Sequence, residues 1–280
     1  MVKLHSICEG EEPGCGSAVF FHGLGGDAFK TWQARVDGGQ DAFFWPRHLH
    51  HDIKGLSVYS VSYPAPLTEW GCRSSHFICQ AWEILDCLLA KPELRSGPLY
   101  LIGHSLGGLV IKHLIRTAEG DAFSRADAKL FLERLEKVVF LATPHLGANL
   151  ASLADLLEFL VRQSPAADGL DRGNPHLLDL YRWYRSWANS QHIAHLTLYE
   201  TRPWKQFGII VDSESANPGL ANGACIPVAC DHVAIAKPDN AGSEVYLRVR
   251  DFLKRPAKSL TTRVNMKTPA AGMQPALAAA

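Results

Sequence analysis

A serine hydroxyl attacks a carbonyl only when a base takes its proton, an acid orients that base and amide donors receive the developing charge. The 280-residue chain offers material for each part. Ser105 stands in Gly-His-Ser-Leu-Gly (103–107), a G-x-S-x-G pattern. Before it, Leu99, Tyr100, Leu101 and Ile102 form a short apolar run introduced by Pro98. After it, Leu106, Leu109, Val110 and Leu114 recur at helical spacing along one face. In a strand–turn–helix context this pattern holds the serine in strained backbone, with the glycines giving the crowded turn its room. The five residues alone would arise by chance in roughly one such chain in ten. Their meaning therefore depends on the other parts.

Two amides suit the developing charge. Leu106 opens the expected helix, so its N–H points toward the site with the helix dipole behind it. The second donor is expected from the glycine-rich turn Phe20-Phe21-His22-Gly23-Leu24-Gly25-Gly26-Asp27, which places Leu24 N–H at the same spot. His22 in that turn reads as a structural hydrogen-bonder. The base should come late, in the order serine, acid, histidine. His232, in Pro-Val-Ala-Cys-Asp-His (227–232), follows an apolar stretch and precedes the last helical pattern. His192 and His195 come too early to leave a strand for the acid, and His145 in Ala-Thr-Pro-His-Leu-Gly reads as a turn residue. Glu200, ending His-Leu-Thr-Leu-Tyr-Glu, leads for the acid, with Asp212 and Glu214 in the next apolar segment still open. Asp231 adjoins His232, and neighbours on an extended segment point apart.

These residues need elements to hold them. Strands are expected at 17–21, 55–66, 99–102, 137–142, 195–203 and 208–216. Helices are expected near 41–50, over 74–94, after Ser105, before 137, over about 149–187 and over 242–255. Such alternation implies right-handed crossovers and a mainly parallel sheet flanked by helices, an α/β class. Ligands of such sheets bind beyond the carboxyl ends of the strands. His22, Ser105, His145 and Glu200 all follow expected strands. One domain is expected over residues 1–255, with a helical cap inserted at about 149–190 and a disordered tail at 256–280.

Composition narrows the function. The chain is 47% hydrophobic and 20% charged, with 28 basic and 28 acidic residues. That is globular material with no electrostatic case for a nucleic-acid partner. Seven cysteines (8, 15, 72, 79, 87, 225, 230) form no C-x-x-C pair and read as reduced, buried thiols. The first residues lack the apolar core of a signal peptide, and no stretch is long enough to span a bilayer. A cytoplasmic chain without metal or cofactor is expected.

Together, FFHGLGGDAFKTW, GHSLGGLV, LATPHLG, YETRP, VDSESA and DHVAIAKP follow the order of the serine-active-site-containing, lipase-like α/β-hydrolases, relatives of the GPI inositol-deacylase-like and DUF676-type hydrolases. The resemblance runs from about residue 17 to about 253. It implies an α/β-hydrolase fold and a Ser–acid–His hydrolase of esters, often lipid esters. It maps the triad onto Ser105, His232 and Glu200. One departure stands out: relatives carry proline in the V-P-x-x-S-A segment where this chain has Asp212. The 149–190 segment carries Leu-Ala-Asp-Leu-Leu-Glu-Phe-Leu-Val and the aromatic Tyr181, Trp183, Tyr184 and Trp187. It could line an acyl pocket with peripheral membrane contact, or be a helix pair with aromatic core contacts. The expected partner is a small-molecule or lipid ester, and nothing in the sequence sets an oligomeric state. An acyltransferase or a catalytically silent binding protein on the same scaffold are the alternatives.

Overall fold

The computed structural model describes residues 1–10, 15–34, 43–64, 74–147, 175–221 and 223–256, with 74–79 by backbone alone. The strands are β1 (Lys3–Cys8), β2 (Ser17–Phe21), β3 (Ser57–Ser62), β4 (Leu99–His104), β5 (Leu135–Leu141), β6 (Ala194–Glu200) and β7 (Gly223–Val228). The helices are α1 (Trp45–Asp52), α2 (Ser74–Leu89), α3 (Leu106–Asp121), α4 (Ala126–Arg134), α5 (Pro175–Ser190) and α6 (Glu244–Lys254).

Strands β2 and β4 are buried at every position, as near-continuous apolar runs must be when both sheet faces are covered. Their alternation feeds two cores. Val19, Phe21, Leu101, Val138 and Phe140 pack with α2, α3, α4 and α5 on one face. Ala18, Phe20, Ile102, Val139 and Leu141 pack with α1 and α6 on the other. The strand order is β1-β3-β2-β4-β5-β6-β7. Strand β1 is antiparallel to β3, and every other neighbouring pair is parallel.

The parallel register positions the site. Phe21 pairs with Gly103, His104 with Leu141, and Glu200 with Val228. The chain therefore leaves β2, β4, β5, β6 and β7 at one edge of the sheet, and His22, Ser105, His145 and Glu200 gather there.

Several segments differ from the sequence reading. Residues 208–216, read as a strand, form turns and bends. The Ile210 and Val211 amides donate to the Glu200 carboxylate instead of to a neighbouring strand, which removes them from any ladder. The strand beside β6 is Gly223–Val228, whose Pro227 suits a sheet edge because it has no N–H to donate. The first residues form β1, an edge strand with too little alternation to read. The helix expected over 74–94 stops at Leu89. The expected cap falls mostly on residues outside those described, apart from α5, and the expected tail lies outside them from residue 257. The described cysteines (8, 15, 87, 225 and 230) are thiols of intermediate exposure rather than sealed in the core.

Close packing of α3 on β2 depends on Gly107, where a Cβ would lie 2.6 Å from the His22 carbonyl oxygen and closer still to that of Phe21. Gly25, by contrast, has open space around it but a φ of +60°. Gly107→Ala should therefore lose about 3 kcal/mol or more, since backbone must move. Gly25→Ala should lose about 1 kcal/mol, from left-handed strain alone. Urea unfolding of both variants checks the order.

Candidate active site

The chain turns sharply as it leaves β4. Ser105 adopts φ +52° and ψ −124°, a conformation a β-substituted residue enters only when its surroundings force it. Its N–H donates to the Leu141 carbonyl at 2.8 Å, and its own carbonyl accepts from Gly108 N–H at 3.0 Å. Glycines make the turn possible. A Cβ at Gly103 would lie 2.7 Å from Gly108 N, and one at Gly108 would overlap the Thr143 side chain.

Around this turn three side chains form one hydrogen-bonded run. Ser105 Oγ lies 3.0 Å from His232 Nε2, and His232 Nδ1 lies 3.0 and 3.2 Å from the two Glu200 oxygens. A carboxylate can only accept, so Nδ1 carries the proton and Nε2 offers its lone pair to the serine hydroxyl. Glu200 is 1% exposed and His232 2%. Glu200 Oε1 also accepts from Ile210 N–H at 3.0 Å and Val211 N–H at 2.8 Å. His232 comes from the loop after β7, where Asp231 Oδ1 caps the following turn through Val233 and Ala234 N–H at 2.9 and 2.8 Å. That capping role occupies Asp231. Asp212 Oδ1 accepts Ser215 N–H at 2.9 Å within its own turn. Glu214 is exposed. The carboxylate on Nδ1 is that of Glu200.

The glycine-rich loop after β2 lies against the serine, since a Cβ at Gly23 would come within 3.0 Å of Ser105 Cβ. Leu24 follows in a turn closed by Gly26 N–H on the Gly23 carbonyl at 3.0 Å. Leu106 is the first residue of α3, and the first four amides of a helix lack an acceptor within it. His22 braces this loop. Its Nδ1–H donates to the Gly23 carbonyl at 2.8 Å, and its ring stacks on Tyr63 at 4.2 Å. Tyr63, which sequence reading did not single out, donates its hydroxyl to the His22 carbonyl. Burial lowers the His22 pKa and keeps the ring neutral.

His145 is the turn residue it was read as. Its N–H donates to the Thr143 carbonyl at 3.0 Å and the Ser215 carbonyl at 2.8 Å, while its buried ring meets Phe140 edge-on. The aromatic face of α5 packs on α3. Tyr184 and Trp187 are in the core, and Trp183 Nε1–H donates to Glu119 at 3.0 Å. Glu119 lies 14 residues past Ser105, about 21 Å along the helix. The described part of the expected cap therefore makes core contacts along α3, from Lys112 to Glu119.

A mainly parallel sheet whose edge bears a serine in strained backbone after β4, with a histidine between that serine and a carboxylate, has the form of the α/β-hydrolase fold. Comparison with known proteins agrees. Residues 81–158 match the family described as "Putative serine esterase (DUF676)". Protein SERAC1 of Mus musculus is 28% identical over 270 residues, covering 89% of this chain and 40% of that protein. The chain thus spans less than half the length of this curated relative. Among solved structures, Phospholipase PlaB from Legionella pneumophila superposes with a TM-score of 0.64 at 11% identity, covering 88% of this chain and 61% of that one. A monoacylglycerol lipase from Paleococcus ferrophilus superposes with a TM-score of 0.55 at 18% identity, covering 90% and 98%. The chain has the α/β-hydrolase fold, and its residues 81–158 resemble a family described as putative serine esterases. No helix among the described residues is long and apolar enough to cross a membrane.

One buried charged residue was also missed. Lys112, on α3, is fully buried, with its ammonium 5.0 Å from the Tyr184 ring centre, 5.7 Å from Tyr181 and 5.8 Å from Phe140. Aromatic faces replace only part of its lost hydration, and burial lowers its pKa to about 7. The unfolded chain binds this proton up to the ordinary value of 10.5. Between those values the unfolded state holds more protons, so stability must rise with pH across that window. Lys112→Met should therefore raise the thermal midpoint most at pH 6 to 7, with the gain shrinking by pH 9. Thermal melts across that range check the sign.

Proposed function

We propose that the chain cleaves carboxylic esters carrying lipid-like acyl groups through an acyl-enzyme on Ser105. The observation that carries this reading is the unbroken run from Ser105 Oγ through His232 to Glu200. The Ser105 oxygen attacks the ester carbonyl as His232 Nε2 takes its proton. Glu200 keeps the imidazole in the required tautomer and stabilises the imidazolium that forms. The amides of Leu24 and Leu106 receive the negative charge on the tetrahedral oxygen. His232 then returns its proton to the departing alcohol, leaving the acyl group on Ser105. A water molecule, deprotonated by His232, attacks that ester, and the acid leaves as Ser105 regains its proton. The lipid-like character is supported by the names of the structural neighbours, a phospholipase and a monoacylglycerol lipase.

A fluorophosphonate probe should label Ser105 in the folded chain and leave Ser105→Ala unmodified, as read by mass spectrometry. Absence of label on folded wild type would overturn the catalytic reading. Across p-nitrophenyl esters from acetate to laurate, kcat/KM should rise with chain length; a preference for acetate would remove the lipid part of the proposal.

The acid is tested separately on the best ester of that series. Glu200→Gln keeps the shape but not the charge and should cost about 1,000-fold or more in kcat. Asp212→Asn should stay within about threefold of wild type, and a collapse confined to Asp212→Asn would reassign the acid.

A further inference from the structure

One buried ring joins the three loops that the reaction requires. His104 immediately precedes Ser105, and its Nε2–H donates to the main-chain carbonyl of His232 at 2.8 Å. The glycine-rich loop touches the same ring, since a Cβ at Gly23 would lie 3.3 Å from His104 Nδ1. Trp32 stands edge-on to it, with ring centres 6.4 Å apart. The His104 and His232 rings are 5.1 Å apart.

Packing alone does not explain a histidine here. His104 Nδ1 is buried without a hydrogen-bond partner. An orphaned polar atom in the interior costs stability that a leucine of similar size would avoid. Burial first, then the neighbouring His232, Lys237 and His22, push the ring's pKa down to about 3. The ring is thus neutral near pH 7. With Nε2 facing a carbonyl, its one proton must sit on Nε2. His104 is therefore a fixed donor.

We propose that His104 is a positioning residue for His232: its Nε2–H fixes the main chain of the base relative to the strand that carries the nucleophile. Glu200 holds only the Nδ1 end of the imidazole, and Asp231 caps the turn that follows. The carbonyl bond adds an anchor on the main chain of His232. The inference rests on the proposed Ser105–His232–Glu200 chemistry.

Three substitutions test it, measured as kcat and KM on p-nitrophenyl butyrate together with thermal midpoints. His104→Leu removes the donor and His104→Asn leaves it too short to reach. Each should lower kcat about 10- to 100-fold with KM within about twofold, because a misplaced base slows chemistry and not binding. His104→Gln can present an N–H near the Nε2 position and should recover kcat to within about threefold of wild type. The rate of fluorophosphonate labelling should fall and recover in parallel. Wild-type kcat in His104→Leu, or equal loss in His104→Gln and His104→Asn, overturns the proposal. If His104→Leu does not fold, the Asn and Gln pair decides alone. Undiminished turnover by Ser105→Ala would instead overturn the underlying chemistry, and this inference with it.

Discussion

A carboxylate sealed from water keeps its charge only while hydrogen-bond donors surround it, and Glu200 is such a group. Its oxygens receive two backbone amides, of Ile210 and Val211, and the Nδ1–H of His232. Each donor has a structural consequence. The amides pull residues 209–211 out of extended pairing and across the end of β6. The imidazole bond brings the loop after β7 over the end of β4. The path of the chain from residue 200 to 232 is organised around one buried negative charge.

The nucleophile depends on a second constraint, crowding. Helix α3 begins almost inside the sheet edge, so positions 103, 107 and 108 have no volume for a Cβ. The contact that excludes side chains also presses the start of α3 against the carbonyls of Phe21 and His22. The start of α3 and the loop at Gly23 therefore both lie beside Ser105. Strain at Ser105 is offset by the packing of β4 and its neighbour β2, both buried at every position. Rigid surroundings are what a preorganised site requires, since donors must not reorient as charge develops.

Much of this was legible before any coordinates. The β4–turn–α3 unit follows from an apolar run, three glycines and a helical stripe lying side by side. His232 followed from chain order and from its place after an apolar segment, which left Glu200 open against Asp212 and Glu214. Where reading failed, the reason is physical. Gly208-Ile209-Ile210-Val211 has the composition of a buried strand, and periodicity cannot tell that its amides go to a side chain. Strand β1 is an edge with one partner and mixed exposure, so its residues carry little alternation. Lys112 sits in an apolar helical stripe where a lysine suggests solvent, although three rings enclose it.

The sequence by itself determined the class of fold, the serine in its strained turn and the order of the candidate chemical groups, because these are set by local periodicity and by residues whose geometry is their own. Only the tertiary structure shows which carboxylate meets His232 Nδ1, since Glu200 and Asp212 both follow apolar segments and β6 and β7 bring Glu200 there. It also decided the partner of His104. That bond joins residues 128 positions apart, and no local pattern records which carbonyl a buried ring will meet.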